Sequence, residues 1–441
     1  MRGALAFGTA LTALFFTFIA SYATLSIMGR EVPVAAVMGG ISAENQENAE
    51  KKDALMVEAI GLLPGQNQKD VYRNTIDADS AALDEKLQAL AGKHNVVGMS
   101  VAAFEHNRIV YRHTYGLQNR EENIPVTDAT KYRAASISKM VTAALAMMLE
   151  DETGFSIDDD LRGVIPSMQN PYFPDEPVTT RQLMMHTSGL TDGSAYKDAV
   201  SELRFPPLSS LLSAPGMWMS HKPGTSYEYS NFGSGIVSGV IEAQTGMRFY
   251  DYAKKALFDP LGIDAGYSMH LVRNPRLVAN IYNQSRELMA EPGRWTNMDS
   301  VYAPIPIGEM YLLGHGDLFI SAEDLALIGI ILAGDGTHGG RRYISQEALR
   351  QMNTTAFIDR EAGVARGLGT FAITDALKDG TVYGHQGNAY GMISGMFYDP
   401  ATKTGVVFLS NGCSLTKGGQ GLYDVNRDIM SEVWRYLVPS D

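Results

Sequence analysis

Residues 140–149 read Met-Val-Thr-Ala-Ala-Leu-Ala-Met-Met-Leu, without a charge, a glycine or a proline, and they directly follow Ser136-Ile137-Ser138-Lys139. That composition favours a buried helix starting near Ser136. A spacing of three puts Ser136 and Lys139 on one face, a turn apart. At a helix N-terminus the serine oxygen meets free backbone N–H groups and the positive end of the dipole, which favour developing negative charge. A lysine beside an apolar helix face can have its pKa lowered enough to take the serine proton. Taken alone, the same four residues also describe a helix cap followed by a solvated lysine.

Other segments supply partners for such a serine. Pro223-Gly-Thr-Ser-Tyr-Glu-Tyr-Ser-Asn231 carries Tyr229 and Asn231 one residue apart, and the small, apolar run Phe232 to Ala243 behind it reads as a helix. Tyr383-Gly-His-Gln-Gly387 is expected at the end of a short strand. With Arg181-Gln-Leu-Met-Met-His-Thr-Ser-Gly-Leu190 and Gly316-Asp-Leu-Phe-Ile-Ser-Ala-Glu-Asp-Leu325, these blocks resemble the serine β-lactamase and penicillin-binding-protein superfamily. The branch they resemble most is that of the class C β-lactamase-like hydrolases, which include D-amino-acid peptidases and esterases. The resemblance runs from about residue 80 to the C-terminus, with the blocks in the family's order.

At 441 residues the chain can bury a large core, as one large domain or two subdomains. A net charge of −13 and the lack of a basic block argue against nucleic acid as a partner. Residues 3–29 carry no charge, lie between Arg2 and Arg30, and would span roughly 40 Å as a helix. This segment is expected to target the chain to a membrane. Cleavage after Ala23, behind Ser21-Tyr22-Ala23, and retention as an anchor are both open. The single cysteine, Cys413, excludes a lipoprotein signal and an internal disulfide, which a bacterial periplasm tolerates.

The polar stretch 30–79 reads as a linker or stalk, with a short helical stretch around Ala54 to Leu63. Leu83, Leu87 and Leu90 have helical spacing, and Val96 to Tyr115 alternates like a hairpin turning at His106-Asn107-Arg108. From Ser136 to about Arg350 helical patterns and long loops dominate. Strands return at Thr381–Gly387, Ile393–Tyr398 and Val406–Ser410, followed by a helix over Asp424–Leu437. The expected fold is α/β plus α, β-lactamase-like: an antiparallel sheet flanked by helices with an inserted, mostly helical domain. Its parts would be 1–29 as signal peptide or anchor, 30–79 as linker, 80–135 with 360–441 as the discontinuous sheet domain, and 136–359 as the helical domain.

The resemblance makes Tyr229 the group that exchanges the proton with Ser136 and the leaving group, and lets Asn231 hold Lys139 and a substrate amide. The backbone N–H groups of Ser136 and Asn388 are the candidate oxyanion donors, Asn388 because it follows His385-Gln386-Gly387 at the strand edge. Here the sequence departs from the β-lactamases, which carry Lys-Thr-Gly or Lys-Ser-Gly on this strand with the lysine drawing the antibiotic's carboxylate. His385-Gln386-Gly387 is a form shared with peptidase-like and esterase-like relatives, and this weakens a β-lactamase assignment. A literal Lys403-Thr404-Gly405 follows Asp399-Pro400-Ala401 and reads as a hairpin turn. Gly334-Asp-Gly-Thr-His-Gly339 follows a helix and so is no dinucleotide fingerprint.

Neither a Gly-x-Ser-x-Gly elbow, a His-Glu-x-x-His helix nor a paired cysteine motif occurs. His186 reads as a packing residue, the Met147 and Met184 pairs as core filler, and Asp158-Asp159-Asp160 as a solvated loop instead of a metal site. These readings lead to an exported serine hydrolase with no cofactor and no metal, acting on a small molecule or short peptide through an acyl-enzyme. Peptide hydrolysis is favoured over ester hydrolysis. A membrane-tethered acyl-sensing module is the rival, but a binding module has no need of Ser136, Lys139, Tyr229 and Asn231 together.

Overall fold

The computed structural model describes residues 24–27, 30–33, 78–295, 302–359 and 363–437. Residues 1–71 and 72–441 form separate units. In the first, Thr24–Ile27 pairs with Arg30–Pro33 as an antiparallel hairpin. The end of the segment expected as a helix is therefore extended, in keeping with the β-branched Thr24, Ile27 and Val32. The rest of 3–29, and the linker with its expected helix near Ala54–Leu63, lie outside the described residues. Among the described residues no helix is long and apolar enough to cross a membrane.

The second unit is organised by a nine-stranded antiparallel sheet. Its strands are β1 (Gly98–Glu105), β2 (Arg108–Asn119), β3 (Ile124–Pro125), β4 (Phe357–Asp359), β5 (Val364–Arg366), β6 (Phe371–Thr374), β7 (Thr381–Ala389), β8 (Met392–Asp399) and β9 (Thr404–Ser410). The order across the sheet is β4-β5-β6-β7-β8-β9-β1-β2-β3, so the two ends of the unit meet where β9 pairs with β1. The main helices are α1 (Ala78–Lys93), α2 (Ile137–Glu152), α3 (Thr180–Met184), α4 (Asn231–Thr245), α5 (Ala322–Ala333) and α6 (Asp424–Leu437).

Side chains alternate across a strand, and both faces of this sheet are covered. Val101, Ala103, Val406 and Phe408 pack with Leu83 and Leu87 of α1 and Ile429, Val433 and Trp434 of α6. Ala102, Phe104, Val407 and Leu409 pack on the opposite side with α2 and α5. Burial on both faces explains why β1 and β9 read as almost continuous apolar runs.

The sheet extends beyond the expected strands, since β4 and β5 add to one edge. β7 also runs on to Ala389, through the residues expected at a strand end, because its ladder with β8 continues from Tyr383 to Ala389. Its glycines at 384 and 387 interrupt the alternation that marks a strand in sequence. β6, by contrast, pairs with β7 only as far as Gly384. Past that point one side of β7 is open, and the site lies there. Lys403-Thr404-Gly405 falls at the turn from β8 into β9, with Lys403 at φ +56°.

Candidate active site

Ser136 is presented by a strained turn. Lys131–Arg133 pairs with Phe319–Ser321 as a short ribbon, and the chain then enters α2 through Ala134 and Ala135. Ala135 has φ +47°, a left-handed conformation that costs an alanine roughly 1–2 kcal/mol. Ala134 is held through both of its backbone polar groups, with Ala134 N donating to Leu318 O at 2.7 Å and Ser394 Oγ donating to Ala134 O at 2.7 Å. Ser136 is the N-cap of α2, yet its side chain makes no capping bond. Its Oγ lies instead 3.1 Å from Tyr229 Oη and 3.1 Å from Lys139 Nζ. That contact separates this serine from an ordinary helix cap.

Lys139 is buried, and its Nζ also donates to Asn231 Oδ1 at 2.8 Å and to His315 O at 2.7 Å. A carbonyl and an amide oxygen can only accept, so two N–H groups are committed and the third position of the nitrogen faces Ser136 Oγ. As a free amine Lys139 presents a lone pair there; as an ammonium it presents a proton. Asn231 is the first residue of α4, which is capped by Ser230 Oγ accepting from Gly233 N. Tyr229, just before it, packs against His186 in a tilted pair with ring centroids 4.4 Å apart, and Lys139 Nζ lies 5.1 Å from the Tyr229 ring centre. His186 accepts from Ser230 N through Nδ1 at 3.2 Å, the packing position expected of it.

Three imidazoles surround this cluster without adding charge to it. Burial, reinforced by Lys139, holds His186 and His385 well below the usual histidine range. The same two causes push His315 down to about 4.

β7 brings up the other predicted residues. A Cβ on Gly387 would meet Ser394 Oγ at 2.4 Å, Ala134 O at 2.6 Å and Ala135 Cβ at 2.9 Å, so only glycine lets the strand approach the turn before Ser136 this closely. Ile393 N and O are both bonded to Ser410 Oγ on the β9 side. Asn388 and Ile393 are therefore a non-hydrogen-bonded pair, and the Asn388 N–H points away from β8 to the side where β6 has ended. The Asn388 carboxamide faces elsewhere, donating to Tyr423 Oη at 2.7 Å.

His385 keeps its ring N–H within the protein. Nδ1 lies 2.6 Å from the carbonyl oxygen of Gln386, which can only accept, so Nδ1 carries the proton of the neutral ring. Nε2 is left as a buried acceptor with no partner among the described residues. The ring rests on Phe371, with centroids 4.1 Å apart.

A cavity of about 780 Å³ opens over Ser136, Tyr229, Asn231, His385 and Asn388. Three residues of this neighbourhood escaped the sequence reading. Arg366, buried with its guanidinium carbon 3.9 Å from the Phe371 ring centre, lines the cavity from β5. Asp192 accepts from Asn231, and His315 supplies the carbonyl for Lys139. Asp192 lies two residues past the block ending at Leu190 and His315 one residue before the block starting at Gly316, so longer blocks would have included both. Arg366 has no such signal. Of the acids at 158–160, Asp158 pairs with Arg181 and Asp160 with Arg162, while Asp159 accepts from Ser156 N.

A sequence profile of the Beta-lactamase family matches residues 83–429. A penicillin-binding protein of Bacillus subtilis (strain 168) is 29% identical over 190 residues, 41% of this chain and 40% of that protein. A D-aminopeptidase of Gluconobacter oxydans (strain 621H) is 27% identical over 196 residues, 43% of this chain and 35% of that protein. The chain thus matches well under two thirds of the length of either relative. Among solved structures, D-amino acid amidase from Ochrobactrum anthropi SV3, in complex with L-phenylalanine amide, superposes with a TM-score of 0.63 at 21% identity. That superposition covers 82% of this chain and 99% of the amidase, and it supports the same fold.

Proposed function

This chain belongs to the Beta-lactamase family, and from that premise we propose that it is a serine hydrolase that cleaves short peptides or amides through an acyl-enzyme on Ser136. The observation that carries the reading is Ser136 Oγ standing 3.1 Å from both Lys139 Nζ and Tyr229 Oη while making no helix-capping bond. Serine is a weak nucleophile at neutral pH and needs such a base within hydrogen-bond reach. In the proposed route Ser136 Oγ attacks the carbonyl carbon as its proton passes to the Lys139–Tyr229 pair. The Ser136 and Asn388 N–H groups receive the oxyanion, a contribution of about 3 kcal/mol for each good donor. Tyr229 then protonates the leaving amine, and water releases the acyl group by the reverse path.

An amide substrate is supported by the D-aminopeptidase and D-amino acid amidase among the similar proteins, and by His385 standing where β-lactamases have lysine. Asn231 and His385 would border the substrate, with Gly387 allowing β7 to lie beside it. Export is part of the reading and rests on the uncharged segment 3–29 between Arg2 and Arg30. The deciding experiment is intact-protein mass spectrometry after exposure to a fluorophosphonate and to panels of peptides, esters and β-lactams. A single adduct mapping to Ser136 and absent from Ser136→Ala is expected; unchanged labelling of Ser136→Ala would overturn the assignment.

A further inference from the structure

Asp192 stands behind the cluster just described and collects three donors. Asn231 Nδ2 reaches its Oδ2 at 2.8 Å, while Phe232 N and Ser230 Oγ reach its Oδ1 at 2.9 and 3.1 Å. Ser230 Oγ already accepts from Gly233 N at 2.9 Å, so its own proton is the one directed at Asp192. A carboxylate cannot donate. The side-chain amide of Asn231 must therefore turn its NH2 toward Asp192, and its oxygen is left facing Lys139 Nζ.

Were the amide reversed, its NH2 would oppose Lys139, and the nitrogen would lose one of the two acceptors that aim its third position at Ser136. We infer that Asp192 is a positioning residue for the acylation step, acting by fixing the direction of the Asn231 amide and thereby the orientation of Lys139. This rests on the reading of Ser136 and Lys139 given above. Asp192 touches none of the reacting atoms itself. Its bond to Phe232 N also secures the first turn of α4, which ties the same carboxylate to the element that carries Asn231.

Asp192→Asn separates this role from a general structural one, because it keeps the side chain's size and one acceptor oxygen. That oxygen is held by Phe232 N and Ser230 Oγ, which leaves an NH2 facing Asn231 and forces the Asn231 amide to reverse. The expected result is a fluorophosphonate labelling rate and a kcat, per titrated active site, at least tenfold below the parent. KM should stay within twofold and the melting temperature within about 3 °C. Asn231→Asp added to Asp192→Asn restores an acceptor toward both neighbours and should recover a measurable part of the loss. A per-site rate for Asp192→Asn within twofold of the parent would overturn the inference, as would a loss that follows a fall in melting temperature and is not recovered in the double variant. Failure of the parent to label at Ser136 would instead overturn the assignment of the nucleophile, so the two failures are distinguishable.

Discussion

Ser394 Oγ donates to the carbonyl oxygen of Ala134 at 2.7 Å, joining the middle of β8 to the turn before Ser136 across 260 positions of sequence. The bond is buried, and the carbonyl it holds also accepts from Ile137 N in the first turn of α2. Ser394→Ala should therefore cost about 0.5–1.5 kcal/mol of stability, the usual net loss for one hydrogen bond, because Ile137 N still serves the carbonyl. It should also slow labelling of Ser136. Urea unfolding together with labelling kinetics would check this, and a variant unchanged in both would remove Ser394 from the support of the turn.

Gly387 offers a steric test of the same junction. Any Cβ there falls within 3 Å of Ser394 Oγ, Ala134 O and Ala135 Cβ, so β7 or the turn has to move. Gly387→Ala is expected to lower kcat by 10² or more, the scale of a misplacement of about 1 Å in an active site. Normal kinetics in this variant would mean that the strand and turn separate without consequence.

Lys139→Ala and Tyr229→Phe should each reduce the acylation rate by about 10² to 10⁴, the range for loss of a general acid or base. Tyr229→Phe keeps the ring on His186 and should melt close to the parent. Full activity in either variant would show that another group takes the serine proton.

The buried imidazoles predict a particular pH dependence of stability. His186, His315 and His385 all have folded-state pKa values below the unfolded value near 6.5, so the unfolded chain binds more protons as the medium is acidified. Their contribution is complete above about pH 6.5 and is lost as pH falls below it, at up to about 1.4 kcal/mol per pH unit for each histidine; for His315 the loss levels off near pH 4. Asp428, held down to about 2, loses its contribution only in more acidic solution, below about pH 4. Urea titrations between pH 7 and 4.5 should therefore give a steep fall, and a flat profile over that window would contradict neutral burial of these rings.

Substrate class follows from how His385 spends its proton. With Nδ1 donating to Gln386 O, the ring has no N–H left for an antibiotic carboxylate. Poor turnover of nitrocefin is expected, with short peptides, including those with D-residues, preferred over p-nitrophenyl butyrate. Comparing kcat/KM for the three decides between them. Efficient nitrocefin hydrolysis that disappears in Arg366→Gln would place the anion contact on Arg366, which lines the same cavity.

Much of the fold could be read from local pattern because its signals are local. The uncharged run after Lys139 dictated a buried helix, the hairpin pattern over Val96–Tyr115 marked β1 and β2, short apolar runs marked β8 and β9, and the Ser-x-x-Lys spacing placed two side chains on one face of α2. Tyr229 and Asn231 were legible from a short motif ahead of a small-residue helix. The tertiary structure alone decided what those groups face. Sequence spacing cannot orient an amide, so the direction of Asn231 awaited Asp192, 39 positions away. Nor can it choose a tautomer: Nδ1 of His385 bonds to the carbonyl of the next residue, Gln386, in a ring that packs on Phe371 of β6, and Nε2 is left as the acceptor. β7 read as a short strand because its glycines erase the alternation; Gly387 has meaning only against the turn at Ala134 and Ala135, and Gly384 only against the β8 backbone at Met396 and Phe397. Residue type and short-range spacing set which elements form and which groups carry reactive chemistry. The aim of a group such as the Asn231 amide depends on contacts between residues far apart in the chain, and only the packed fold supplies them.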